Sequence, residues 1–154
     1  MPGLGTLIVL LLLLPIYASQ GWPKPFWLTA IIAAFFSYWG SRAVLREWRT
    51  PNPSKLQAFY GRGLKEALTR VPKNSFGLLL AVATRTGVLY GGLAGAVRSI
   101  IFFFESQSLP ANLIEWARLL YLFIGTIGLF TGFGALIGAL AGVIFSLLFF
   151  HLTR

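Results

Sequence analysis

Cysteine is absent from this chain, so it can build neither a disulfide framework nor a thiolate metal centre. Aspartate is absent too. The acidic residues are Glu47, Glu66, Glu105 and Glu115, and the one histidine is His151. Metal sites draw several ligands from these residue types, and a proton relay needs one of them inside a membrane span, where the sequence places none. A Ser/His/Asp set and paired acid–base carboxylates are equally out of reach. The expectation is a protein that is not an enzyme and carries no cofactor. Charge of either sign is scarce, at 11% of the 154 residues against about a quarter in soluble domains, while 56% are hydrophobic.

The apolar residues are gathered into runs. About 18 or more consecutive apolar residues read as a membrane-spanning helix. Four such stretches, residues 4–20, 26–45, 76–104 and 117–151, take up most of the chain. The predicted fold class is an all-α membrane protein, a bundle of four transmembrane helices in one domain. The first stretch also resembles a signal peptide, but Met-Pro-Gly-Leu-Gly lacks a basic n-region and Tyr17 to Gln20 make a poor cleavage site, so a retained span is expected. Pro23 and Pro25 forbid a continuous helix into the second stretch and predict a tight hairpin. Along that second stretch Ala30, Ala33, Ala34, Ser37 and Ser41 thin one side, while Phe35, Tyr38 and Trp39 fill the other.

The last stretch allows two readings. Residues 119–150 carry no charge and would reach about 48 Å as one helix, beyond a hydrocarbon layer of about 30 Å. Either one long helix tilts or protrudes, or a hairpin turns near Thr131-Gly132-Phe133-Gly134.

Basic residues are concentrated in one place. Between Arg42 and Asn74 eight of them face Glu47 and Glu66, giving +6 of the chain's +9. The positive-inside rule puts this loop, residues 46–75, and the N-terminus on the cytoplasmic or equivalent side of a bacterial inner, thylakoid or organelle inner membrane. After Pro51 and Pro53, Ser54-Lys55-Leu56-Gln57 has capping-box form. Leu56, Phe59, Tyr60, Leu64, Ala67, Leu68 and Val71 then recur every three or four residues. The prediction is an amphipathic interfacial helix closed by Pro72, with Arg62, Lys65, Arg70 and Lys73 on anionic lipid headgroups, each worth on the order of 1 kcal/mol. A nucleic-acid partner is not expected from a basic patch already tethered to a membrane.

Glycine is abundant where soluble helices avoid it. Gly87, Gly91 and Gly95 are spaced by four, and so are Gly134, Gly138, Gly142 and Ser146; a second register runs through Gly128, Gly132, Ala135, Ala139 and Gly142. Each glycine weakens a helix by about 0.5–1 kcal/mol relative to alanine, a loss offset where bare backbone lets another helix approach closely. The six glycines Gly87, Gly91, Gly95, Gly134, Gly138 and Gly142 are the candidate helix-packing interface.

Two arginines fall inside the third stretch, where charge is a functional suspect. Arg98 shares a face with Gly87 and Gly91 and is read as a hydrogen-bonded strut, satisfied by backbone carbonyls or by Glu105, or else as a contact for a lipid phosphate, an anion, a quinone or another subunit. Arg85 lies on another face and is expected to snorkel to the headgroups. Phe102, Phe103 and Phe104 read as a lipid-facing belt, and Glu115 and Arg118 as a pair across one helical turn.

Two functions from different classes follow. The first is a non-catalytic membrane subunit or assembly factor, binding other membrane protein subunits or a second copy of itself through glycine-rich faces. The second is a small oligomeric channel or transporter with Arg98 in the permeation path. The first requires more small-residue surface than the chain's own helices consume.

Overall fold

A computed structural model describes residues 2–18, 26–50, 53–61, 75–106 and 112–153. Within them the chain is helical, without strands. The helices are α1 (Pro2–Ala18), α2 (Phe26–Arg49), α3 (Pro53–Tyr60), α4 (Phe76–Ser106) and α5 (Leu113–Leu152). Three of them, α2, α4 and α5, are long and apolar enough to cross a membrane, consistent with an integral membrane protein. The first helix is apolar but shorter, 17 residues or about 25 Å.

Local chemistry sets the boundaries. Helix α5 begins where Asn112, in extended backbone, accepts the Glu115 N–H on its side-chain oxygen at 2.9 Å, and Glu115 adds a negative charge at the helix N-terminus. It then runs unbroken for 40 residues, about 60 Å, straight through the Thr131–Gly134 segment. The glycines there do not open a turn, because in hydrocarbon a broken helix leaves backbone groups that water cannot satisfy. Helix α2 continues past residue 45 to Arg49, with Arg46 and Arg49 at its negative end, so Glu47 is a helical residue rather than a loop residue.

Helix α3 covers the first part of the expected interfacial helix, and residues 62–74 lie outside the described residues. It ends at Tyr60, and Gly61 takes φ +83°, a left-handed conformation that stops an α-helix where glycine is present. Leu56 is buried, and the Tyr60 hydroxyl donates to the Ala81 carbonyl at 2.7 Å, which fastens α3 to α4. Burial holds the Tyr60 phenol above the ordinary tyrosine value, with nearby Arg85 opposing, and so keeps it a donor. Arg62, Lys65, Arg70 and Lys73, the predicted headgroup ligands, lie outside the described residues.

The long helices pack in a ring. Helices α4 and α5 form the closest pair, α2 lies along α4, and α1 bridges α2 and α5. The ring is tight at one end, where α2 and α5 finish and α4 begins. There Leu79 and Val82 are fully buried, Phe145 and Phe149 stack at 5.6 Å, and Trp48 meets Phe149 edge-on, also at 5.6 Å. At the other end the start of α5 is largely exposed, with Leu113 86% and Tyr121 79% exposed. These are the closed and open ends below.

Candidate binding site along the glycine seam

The α4–α5 interface follows one register. A methyl group built on Gly87 would run into the Gly138 carbonyl, one on Gly91 into that of Gly134, one on Gly95 into that of Phe130, and one on Gly142 into that of Ala83. Contacts advance by four along α4 as they retreat by four along α5, so the helices are antiparallel and touch backbone to backbone once per turn. The relation is reciprocal: a methyl on Gly138 meets the Gly87 carbonyl, and one on Gly134 meets that of Gly91. Carbonyls cannot swing aside as side chains do, so only glycine fits at these positions. Approach this close also brings Cα–H groups against carbonyl oxygens, a weak attraction repeated along the seam.

All six candidate glycines are therefore placed in one interface, and that interface is internal. They do not offer a surface to another protein, because the chain's own two helices occupy it. The second register divides: Gly142 belongs to the seam, while Gly128 and Gly132 have nothing within 4 Å among the described residues. Gly125, to which the four-residue spacing assigns no role, joins them in open space. Nine residues separate Gly125 from Gly134, half a revolution at 100° per residue, so α5 carries a used glycine face and an unused one.

Smaller versions of the same device hold the other helices. Gly5 of α1 faces Ser41 of α2, whose hydroxyl donates to the Ser37 carbonyl at 2.7 Å, and Gly40 of α2 receives the Tyr90 ring, 3.3 Å from where a Cβ would stand. The thinned side of α2 is thus turned inward, while Phe35, Tyr38 and Trp39 are exposed. In the phenylalanine belt Phe102 and Phe104 are exposed, and the rings also meet α5. Phe102 stacks on Phe130 at 5.6 Å and Phe103 meets Phe123 at 4.7 Å, leaving Phe104 outermost.

The two arginines have different fates. Arg85, expected to snorkel, instead donates from Nη1 to both carboxylate oxygens of Glu47 at 3.0 and 3.1 Å, with both side chains nearly buried, at 14% and 13% exposure. Its partner lies 38 residues away on α2, a pairing that needs α2 to run past residue 45. Arg98 is only 6% exposed. Its Nε donates to Thr29 Oγ1 at 2.9 Å, its Nη1 pairs with Glu105 at 3.5 Å without a hydrogen bond, and its guanidinium lies 5.8 Å from the centre of the Phe102 ring. Glu105 was foreseeable as a helical neighbour two turns away. Thr29 was not, since no spacing rule links α2 to α4.

Arg98 also lines a cavity of about 630 Å³ at the centre of the ring, reached by α1, α2, α4 and α5. Its wall includes Gly87, Gly91 and Gly95 of the seam, Ser37 and Ser41 of α2, and Val9 of α1. Both serine hydroxyls are spent on carbonyls of their own helix, so the wall away from Arg98 behaves largely as hydrocarbon and bare backbone. No known family, curated protein or solved structure matches the chain.

Proposed function

We propose that this protein is a non-catalytic integral membrane subunit or assembly factor that joins another membrane protein, or a second copy of itself, through the open end of α5. The observation that carries this reading is the strip Gly125, Gly128 and Gly132, where a side chain would meet nothing within 4 Å. Glycine inside a helix weakens it, and in a membrane the compensation is close approach by a neighbour. The chain obtains that compensation at Gly134, Gly138 and Gly142 from its own α4. At Gly125, Gly128 and Gly132 no described residue supplies it, and in this reading the neighbour is another protein or a second copy.

The surroundings of the strip support the same reading. Large apolar residues such as Leu120, Tyr121, Ile124 and Leu129 flank it and are exposed. At about 60 Å, α5 is longer than the 40–45 Å of a whole bilayer, so part of this apolar surface needs either strong tilt or a covering partner. The mostly apolar walls around Arg98 favour the subunit reading over a permeation path. In this reading the cytoplasmic or equivalent side is the closed end, which carries Arg46 and Arg49, and the basic segment beyond α3 adds contact with anionic lipid.

The absence of native cysteine makes the test clean. A single Gly128→Cys in native membranes should give a disulfide dimer if the neighbour is a second copy, and a photoreactive residue at Gly128 should give one discrete heavier product if it is another protein. The control position is Phe35, exposed on the far side of α2. Equal, diffuse yields at Gly128 and Phe35, from a chain that behaves as a monomer in mild detergent, would reject the proposal.

A further inference from the structure

The central cavity calls for an occupant. At about 630 Å³ it is the size of a small-molecule binding site, and left empty it would deprive its lining of contact partners over a wide area. Water is a poor filler, because a buried water needs two to four polar partners and the serines of the wall have spent their hydroxyls within α2. A hydrocarbon chain is the natural filler over most of the length. From Arg98 to Ala83, both in the wall, α4 advances fifteen residues or about 22 Å, most of the depth of a hydrocarbon layer.

One end of the cavity is different in kind. Arg98 is 94% buried by its 6% exposure, Nε is committed to Thr29, and Nη1 is buried without a hydrogen bond. The carboxylate of Glu105 stands 3.5 Å from Nη1, longer than the 2.7–2.9 Å of a charge-assisted bond, and is 51% exposed. Arg98 lies eight residues, about 12 Å, before the last residue of α4, within reach of the headgroup level at the open end. A cation with a spare donor thus lines a long, mostly apolar chamber near its open-end side.

We propose that the cavity is a binding site for one single-chain amphiphile with an oxyanion head, either a long-chain carboxylate or a lysophospholipid phosphate. The head lies on Arg98 Nη1 near the open end, and the chain runs along Gly95, Gly91 and Gly87 toward the closed end. Glu105 is then a built-in competitor. It balances the Arg98 charge when the site is empty and gives way when an oxyanion forms the shorter bond.

The test uses the full-length chain in mild detergent, titrated with oleate, with oleoyl lysophosphatidic acid and with oleyl alcohol, the bound species being counted by native mass spectrometry. One copy of at least one oxyanion amphiphile should bind, at least tenfold more tightly than the alcohol. The carboxylate and phosphate arms show which head is preferred. Arg98→Gln should weaken that binding at least tenfold, whereas Glu105→Gln should tighten it several-fold, an effect opposite to that of general damage. Ala94→Leu, which fills the wall while keeping Arg98, should also reduce binding at least tenfold and keeps the test decisive if Arg98→Gln does not fold. Equal affinity for the alcohol, weaker binding in Glu105→Gln, or undiminished binding in Ala94→Leu would overturn the proposal.

Discussion

The two halves of α5 use the same materials to different ends. Residues 130–149 place Gly134, Gly138 and Gly142 against the α4 backbone and bury Phe145 and Phe149 in the core, whereas residues 113–129 hold Gly125 and Gly128 among exposed leucine, isoleucine and tyrosine side chains. Composition does not separate them; the presence of a neighbour does. The contrast extends to the arginines of α4. Arg85, toward the closed end, is held by two hydrogen bonds from a nearly buried carboxylate, while Arg98, toward the open end, has one hydrogen bond and a looser ion pair. One end is built to stay shut, and the other leaves surface and hydrogen-bonding capacity for something else.

That contrast breaks most sharply at Gly91. Gly91→Ile forces a branched side chain into the Gly134 carbonyl, and the strain should exceed about 3 kcal/mol, seen as loss of the protease-resistant fold in detergent. Next is the closed-end ion pair. Glu47→Gln leaves Arg85 without its counter-charge and should destabilise the protein by about 2–3 kcal/mol, measured by unfolding in denaturing detergent monitored by circular dichroism.

Smaller effects sharpen the comparison. Tyr60→Phe removes the bond to Ala81 and should release α3 at a loss of about 1 kcal/mol, visible as faster proteolysis near Gly61. Because the folded phenol titrates above its ordinary value of 10.0, its contribution is whole below that value and lost as pH rises through the folded one. The wild type should therefore lose α3 protection above about pH 10, while Tyr60→Phe shows no such step from this group. At the open end, Glu105→Gln should change stability by less than about 1 kcal/mol, since that carboxylate is half exposed and its pairing is long. Last, Gly132→Ile should leave stability within about 0.5 kcal/mol of wild type and still abolish the crosslink from a probe at position 128.

Much of this was legible from residue order, though not which way each face turned. Glycine at four-residue spacing identifies helices that pack closely, and the seam partners Gly87, Gly91, Gly134 and Gly138 could be named from it. Similar spacing also runs through Gly128 and Gly132, which meet nothing among the described residues. Spacing reports that a face is thin, whereas contact depends on the rotation of the helix about its axis. Arg98 and Glu105 share one helix and were visible as a pair; Arg85 with Glu47 and Arg98 with Thr29 join different helices. Local periodicity runs on across Gly61, whose positive φ ends α3, and the rest of the expected interfacial helix lies outside the described residues.

Sequence alone determined that the chain is helical and apolar enough for a membrane, because long uncharged runs can satisfy their backbone in hydrocarbon only as helices. It also determined which residues are small enough for backbone contact and that no cysteine or aspartate is available for chemistry. Only the tertiary structure decided that α4 and α5 consume one glycine face, that a second face meets no described residue, and that Arg98 lines a central cavity. Those outcomes depend on the relative rotation and register of helices far apart in the chain. They are set by the sum of many weak packing contacts rather than by any local pattern.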